Sequence, residues 1–504
     1  DASGNQIEHP TLWEPSKHMV LLPEKVSVQI ENRRVAIQCW MYKVESLTGG
    51  IIPVFFLDTD CPENAESDRA IAHMLYGGDD SYRFKQEIVL GIGGVRMLRA
   101  LGFEVKKYHM NEGHAALLTI ELLMDFKRDI EEVWDEDLVW DIDRVKELCV
   151  FTTHTPVEAG HDRFSYNAYL GILGEVIPLR IMQKLAGKDM LNMTLLGLNL
   201  SKYINGVAKK HGEVSKNMFP GYEIHAITNG VHSYTWTSKQ MKMVFDQYIP
   251  GWANEPELFV RADRIPGEEI WNAHMEAKKH LINYVNGVAG ADMDYDTLTI
   301  GFARRATSYK RADLIFQDIE QLKRIGQRKI QLIFAGKAHP RDYEGKQLIK
   351  KILSHARMLR DYLKIAYLPD YNIDTALRLV SGVDVWLNNP LRPLEASGTS
   401  GMKAAHNGVL NFSVLDGWWI EGHIEGVTGW SIGPAPVPNA KLPEASDKTD
   451  AADLYFKMEH IIIPLYYSDR DKWTMMMKNA IAKVAYYFNT HRMMRRYVTL
   501  AYIR

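Results

Sequence analysis

Leu298-Thr-Ile-Gly-Phe302, Lys329-Ile-Gln-Leu-Ile-Phe-Ala335, Lys364-Ile-Ala-Tyr-Leu368, Val383-Asp-Val-Trp-Leu387 and Val409-Leu-Asn-Phe-Ser-Val-Leu415 are short apolar runs recurring through one stretch of the chain. Between them the periodicity predicts helices over Tyr309 to Ile325, Tyr343 to Leu359, Ile373 to Val380 and Thr399 to His406. Strands apolar on both faces, alternating with helices, form a doubly wound parallel sheet. In such a sheet ligands bind outside the carboxyl ends of the strands, so the residues there are the ones to read for chemistry.

Working outward, the first part of the chain is β-rich. Lys25 to Ile30 and Arg34 to Tyr42 alternate, and Ile51 to Leu57 is a short apolar run. Ser81 to Gly102 turns helical, with Phe84, Ile88, Ile92 and Val95 on one face. Gly91 and Gly93-Gly94 inside it predict close packing against a neighbour. A strand over Leu148 to Thr152 delivers His154-Thr155-Pro156 into a loop. At the far end, Gly433 to Pro443 is the clearest loop, and a last long helix is expected over about Asp471 to Tyr497. The expected architecture is α/β, with two Rossmann-like doubly wound lobes. An N-terminal lobe is expected over 1–236, with its start expected to be incomplete. A C-terminal lobe spans 237–504, its last helix (about 471–497) able to pack back on the first.

Composition excludes several classes. At about 150 residues per domain, 504 residues suggest roughly three domains, or two large α/β lobes. The 60 Lys+Arg against 63 Asp+Glu leave a net charge of −3, which argues against a nucleic-acid or membrane-surface binder. No apolar run approaches the ~18 residues that cross a bilayer. Three cysteines, Cys39, Cys61 and Cys149, make no disulfide framework and point to a reducing, cytoplasmic setting. The chain opens on Asp1 without a signal-like apolar region, so a processed start or a longer parent protein is expected.

The strand ends carry the candidate chemistry. Arg304-Arg305 and Lys310 follow the first run, at what reads as a helix opening, and three cations there suit two adjacent anions. A solvated basic helix start would look the same. After the fourth run comes Glu395-Ala-Ser-Gly398-Thr399-Ser-Gly-Met-Lys403, where glycines and hydroxyls open a helix and could cradle a phosphate. It is not a Walker A loop, because Lys403 follows Met402. On spacing alone an ordinary exposed lysine is favoured, and a desolvated Schiff-base lysine is the functional alternative. Asn111-Glu-Gly-His114, His154-Thr-Pro156 and Thr228-Asn229-Gly-Val-His232 could bond sugar hydroxyls, although each singly reads as an internally satisfied core group. Asp79 reads as a turn residue and Trp418-Trp419 as core packing. No H-E-x-x-H, EF-hand or G-x-S-x-G pattern occurs, and no metal is expected.

Taken in order, these segments resemble the α-glucan phosphorylases (glycogen, starch and maltodextrin phosphorylase), nearest their bacterial and archaeal branch. The resemblance runs from about Leu75 to the C-terminus. It rests on Tyr82-Arg-Phe-Lys-Gln-Glu87, Asn111-Glu-Gly-His114, Thr153-His-Thr-Pro156, Asn205-Gly-Val-Ala-Lys209, Ile227-Thr-Asn-Gly230, Arg304-Arg305 through Lys310, and Glu395 to Lys403. It implies a glycosyltransferase fold of the GT-B type with the active site in an interlobe cleft. It also implies pyridoxal 5′-phosphate on Lys403 and reversible, retaining phosphorolysis of an α-1,4-glucan by inorganic phosphate to glucose 1-phosphate. Arg305 and Lys310 then clamp the substrate phosphate, Lys310 also faces the cofactor phosphate, and Arg304 contacts that cofactor phosphate from a position where many members have Lys. Gly398 and Thr399 resemble phosphate contacts. Glu395 and Asn229 resemble ligands of sugar hydroxyls, His154 lines the glycosyl site, His114 and Asp79 lie beside the sugar, and Tyr371 and Trp236 border the cofactor. The resemblance also implies a homo-oligomer, a dimer, beside the cytoplasmic setting and the absence of nucleic-acid and membrane partners expected from cysteines and charge. Family members carry an upstream glycine-rich phosphate loop that nothing before Leu75 supplies, so part of a longer enzyme is expected. The rivals are a nucleotide-sugar glycosyltransferase without pyridoxal phosphate and a non-catalytic glucan-binding fragment.

Overall fold

The computed structural model describes residues 1–503 apart from 2, 12, 76, 158, 159 and 435–446. Two units divide the chain. One holds Thr11–Val207, Gly212–Ala226 and Val498–Arg504; the other holds Asp1–Pro10, Ala208–His211 and Ile227–Tyr497. The division therefore falls after residue 226, not after 236. The reason is pairing: Val231 N–H donates to Phe488 O at 3.1 Å and Thr490 N–H donates to Val231 O at 3.0 Å. Ser233 Oγ also lies 2.9 Å from His406 Nε2. Gly230 permits this approach, since a Cβ there would stand 2.1 Å from the Asn489 carbonyl oxygen.

The first unit begins with an antiparallel meander of β1 (Val20–Ile30), β2 (Arg33–Glu45) and β3 (Ile51–Asp58). Glu31 and Asn32, with φ of 52° and 62°, make the two-residue turn whose twist suits a hairpin. Val28, Ile30, Val35, Ile37 and Cys39 form the buried face. Against it lies the glycine-bearing helix, which runs as Asp80–Ile88, a π turn over Val89–Gly93, and Gly94–Ala100. The close packing expected of its glycines is present: a Cβ on Gly91 would lie 2.8 Å from Leu118 N, and one on Gly93 2.5 Å from Ile37 Cδ1. β4 (Tyr108–Asn111), β5 (Cys149–Thr152), β8 (Tyr203–Gly206) and β9 (His225–Ala226) make a parallel sheet in that order, while β6 (Arg163–Phe164) and β7 (Leu191–Asn192) pair separately.

The second unit is built on a six-stranded parallel sheet. Its strands are β10 (Leu298–Ala303), β11 (Ile330–Ala335), β12 (Lys364–Leu368), β13 (Val385–Asn388), β14 (Leu410–Val414) and β15 (Gly429–Ile432). The spatial order is β12-β11-β10-β13-β14-β15, so the direction of winding reverses between β10 and β13. Every residue of β10, β11, β13 and β14 is buried, which accounts for their unbroken apolar reading. Among the polar exceptions, Gln331 Nε2 donates to Thr299 Oγ1 at 2.8 Å and to Asp294 O at 2.7 Å, whereas Asn388 Oδ1 and Asn411 Oδ1 are buried without a hydrogen-bond partner. Trp418 and Trp419 are 1% and 0% exposed and belong to this core.

Two expected helices differ. Tyr309 to Ile325 is not one helix but 3-10 turns at Ser308–Lys310 and Leu314–Phe316, followed by a helix over Ile319–Gly326. Arg311 breaks it, with φ of 49° and a guanidinium drawn to Asn389 O, Pro390 O and Asp450. Asp318 then caps the new helix by accepting Gln321 N–H at 2.8 Å. The last helix is likewise divided into Arg470–Asn479, a π turn over Ala480–Ala485, and Thr490–Tyr497. Phe488 and Asn489 leave the helix, Phe488 O and Thr490 N–H pair with Val231, and Asn489 Oδ1 restarts the helix by accepting Arg492 N–H at 2.8 Å. Those residues stay with the second unit, and only 498–504 join the first. Of the expected loop at Gly433 to Pro443, residues 435–443 lie outside the described residues. Cys39, Cys61 and Cys149 are buried free thiols. No helix among the described residues is long and apolar enough to cross a membrane.

Candidate functional site

The reversal of winding falls between β10 and β13, and in sheets of this kind ligands bind outside the carboxyl ends of the strands at such a point. Arg304 leaves β10 there, its N–H donating to Ala335 O at 3.1 Å. Gly336 lets the two chains approach, because a Cβ on it would stand 2.0 Å from Arg304 O. From β13 the chain passes through Asn388, Asn389 and Pro390 to Glu395. Glu395 Oε2 lies 2.7 Å from Arg304 Nη2 and 2.6 Å from Lys310 Nζ, and all three side chains are 10% exposed or less. Burial, and then the charge of Arg304, push Lys310 down to about 7 against the pull of Glu395. Burial alone would raise Glu395, but Arg304 and Lys310 hold it below the ordinary carboxylate range. Arg305 is exposed, and its charge adds to the field that lowers Lys310.

A second carboxyl supports this cluster. Asp416 Oδ2 accepts Glu395 N–H and Oδ1 accepts Gly417 N–H, each at 2.9 Å, and burial pushes Asp416 up to about 7. Nothing in the sequence pattern pointed to Asp416 beyond an Asp-Gly turn signal, because its partner is distant in sequence.

Lys403 sits on the short helix Ser400–Ala405, entered through Gly398 at φ 79°. Thr399 is its N-cap residue without a side-chain cap bond. Gly401 is packed so closely that a Cβ would lie 2.2 Å from Asn411 Oδ1 and 2.6 Å from Trp418. Lys403 Nζ stands 3.8 Å from the ring centroid of Trp236. Asn407 fixes that pairing by donating to Trp236 O at 2.8 Å and Lys403 O at 3.1 Å. Burial lowers the Lys403 ammonium from its ordinary value, so the lysine is not the solvated one that spacing alone favoured. Trp236 and Tyr371 pack against one buried cluster that contains Ala404 and Trp386. Burial pushes the Tyr371 phenol up to about 12 while the charge of Arg304 opposes it, which ties Tyr371 to the cation cluster. Asn229 is half-buried beside Gly230, its carbonyl held by Arg492 Nη2 at 2.9 Å.

These residues fit pyridoxal phosphate. A desolvated amine favours the neutral, nucleophilic form that a Schiff base needs. Arg304 Nη1, Thr307 Oγ1 and Ser397 Oγ are buried without a hydrogen-bond partner, and a phosphate oxygen would satisfy such donors.

His154, His114 and Asp79 lie in the other unit. His154 N–H donates to Glu112 Oε1, which also accepts Thr153 Oγ1 at 3.0 Å. Glu112 is buried at φ 61°, a strained conformation of the kind kept at working sites, and its own role was not legible in the run Asn111 to His114. Asp79 is exposed and caps the helix Asp80–Ile88 by accepting Tyr82 N–H at 2.8 Å, as a turn residue would. His114 Nδ1 lies 3.0 Å from Asp162 Oδ2, beside buried Glu87. The three donor sets lie within 4.8 Å of one another, a spacing suited to a cation, and Arg83 Nη2 supplies one by donating to Asp162 Oδ2 at 2.9 Å.

Burial pushes Glu87 from 4.5 up to about 8, and hydrogen bonding to Asp162, with Glu87 nearby, raises His114 from 6.5 to about 9. Both bind protons more tightly folded than unfolded. Their stabilisation is complete below the unfolded values and is lost as pH rises through the folded ones. Denaturation curves for this unit should therefore show falling stability from about pH 4.5 to about pH 9. His114→Gln should flatten the part above pH 6.5; an unchanged slope would remove His114 from this cluster's titration.

Comparison with known proteins adds a further finding. A carbohydrate phosphorylase family model matches residues 172–426. Maltodextrin phosphorylase of Thermococcus litoralis is 40% identical over 541 aligned residues, covering 100% of this chain and 64% of that protein. Glycogen phosphorylase of Aquifex aeolicus is 36% identical, covering 95% of this chain and 73% of the relative. Glycogen phosphorylase of Mycobacterium tuberculosis is 35% identical, covering 93% and 59%. The chain thus spans between 59% and 73% of the length of these relatives.

Proposed function

Because the chain belongs to the carbohydrate phosphorylase family, we propose that it carries out reversible phosphorolysis of an α-1,4-glucan to glucose 1-phosphate, with configuration retained. The observation that carries this reading is Lys403, a desolvated lysine on Trp236, in the same unit as the buried Arg304–Glu395–Lys310 cluster. Schiff-base formation at this lysine is what separates the reading from a nucleotide-sugar transferase. The two units would be the lobes of a GT-B type fold.

Lys403 would hold the pyridoxal group, with Trp236 and Tyr371 against its ring and Arg304 on its phosphate. When bound, that cofactor supplies a phosphate that gives and takes a proton beside the substrate phosphate. Two phosphate groups side by side repel, so the chain must supply dense positive charge locally while remaining at −3 overall. Lys310 answers to both phosphates and Arg305 to the substrate's, with Gly398 and Thr399 completing the cradle. Glu395 and Asn229 orient sugar hydroxyls. For the other unit we propose sugar contacts through His154, held by Glu112, and through His114 and Asp79.

Phosphate-dependent release of glucose 1-phosphate from a maltooligosaccharide tests the activity directly. Arg305→Ala should lower phosphorolysis roughly ten- to a hundredfold and raise the phosphate requirement, since a charge-assisted contact is worth ~1.5–3 kcal/mol. Cofactor content should stay normal. Arg305→Lys should recover only part, because a point charge cannot match the planar fork. Loss of cofactor at unchanged phosphate affinity would reverse the roles of Arg304 and Arg305.

A further inference from the structure

One carboxylate oxygen serves both buried cations of the site. Glu395 Oε2 lies 2.7 Å from Arg304 Nη2 and 2.6 Å from Lys310 Nζ, with side-chain exposures of 10%, 8% and 8%. Buried pairs are little screened, so this oxygen takes up much of the positive field that an anion would otherwise meet. The carboxylate is also held in place. Its backbone N–H donates to Asp416 Oδ2 at 2.9 Å, and Trp418 N–H ties down Ser397 O at 2.9 Å. Arg304 Nη1 meanwhile is buried with no hydrogen-bond partner, so the guanidinium has donor capacity that Glu395 does not use.

Building on the phosphorylase reading, we propose that Glu395 is the built-in counter-ion of the phosphate site, displaced from Arg304 by the cofactor's phosphate and from Lys310 by the incoming substrate phosphate. Exchange then replaces one negative charge by nearly two. A dianion wins that exchange and a monoanion does not, so Glu395 lowers phosphate affinity while raising selectivity for dianions. A sugar-hydroxyl role for Glu395 is compatible, since a hydroxyl can donate to the carboxylate once the cations have left it.

The test is calorimetric titration of inorganic phosphate, with nitrate as the monoanionic probe, into the wild-type chain and Glu395→Gln. The amide keeps the shape and removes the charge. Phosphate should bind Glu395→Gln about tenfold more tightly or better, and nitrate should bind measurably only to the variant. Glu395→Ala and the shorter Glu395→Asp should move in the same direction, so that one poorly folding variant does not decide the matter. Unchanged or weaker phosphate binding in the folded variants would overturn the proposal. Borohydride trapping at Lys403 is scored on the same samples. Tighter binding without an adduct would keep this inference and remove the phosphorylase reading, and an adduct without tighter binding would do the reverse.

Discussion

Lys310→Ala is expected to slow phosphorolysis by roughly 10²- to 10³-fold, the usual loss when one preorganised charge donor leaves a desolvated site. The loss should exceed that of Arg305→Ala, because Lys310 is buried against Glu395 whereas Arg305 is exposed. Its pH dependence carries a definite sign. With a folded value near 7, well below the ordinary 10.5, the ammonium is present below that pH and is lost above it. The kcat/KM profile of the free enzyme should accordingly fall above about pH 7. Lys310→Arg, charged throughout, should be slower at its best pH yet should lack that descending limb. A limb that persisted in Lys310→Arg would assign the titration to another group, and Asp416, also near 7, is the next candidate.

Asp384→Ala should give the largest loss of stability, about 3–5 kcal/mol, by stranding a buried charge. Asp384 is 0% exposed beneath β10, where Oδ2 lies 2.6 Å from Lys278 Nζ and accepts Thr299 N–H at 2.7 Å. Oδ1 lies 2.8 Å from His274 Nε2. Burial alone would raise this carboxyl, but Lys278 and His274 hold it below its ordinary value. Lys278 also donates to Thr297 O and Tyr466 OH, so the network ties the long helix Gly267–Ala289 to the start of the interior strand β10 and to the C-terminal helices. Denaturant unfolding followed by tryptophan fluorescence would measure the loss. The double variant Asp384→Ala, Lys278→Met should recover part of it, since removing both charges leaves none stranded. A single variant within 1 kcal/mol of the wild type would mean that the pair is not buried as described.

The parallel sheet was legible because its strands are buried on both faces, and the helix over Tyr343 to Leu359 because local periodicity and an Asp342 cap agree. Periodicity failed where a distant partner outbid it. Arg311 is pulled out of helical conformation by Asp450, and Phe488 and Asn489 by the pairing with Val231. The same strand-like pairing moved the unit boundary to residue 226. At the site, Arg304, Lys310 and Glu395 were visible as residues following strand ends. Their mutual ion pairs were not, because Glu395 is 85 residues from Lys310. Lys403 looked ordinary by spacing, and only resemblance singled it out. Asp416 and Glu112 were missed in their roles because each acts on a segment remote in sequence, which leaves no local pattern.

The most direct measurement is covalent. The purified chain is incubated with pyridoxal phosphate, reduced with borohydride and mapped by peptide mass. The phosphorylase account predicts a pyridoxyl phosphate adduct on Lys403, absent from Lys403→Ala, with an absorbance band that disappears on reduction. An unmodified Lys403 in protein that turns over glucan and phosphate would contradict it.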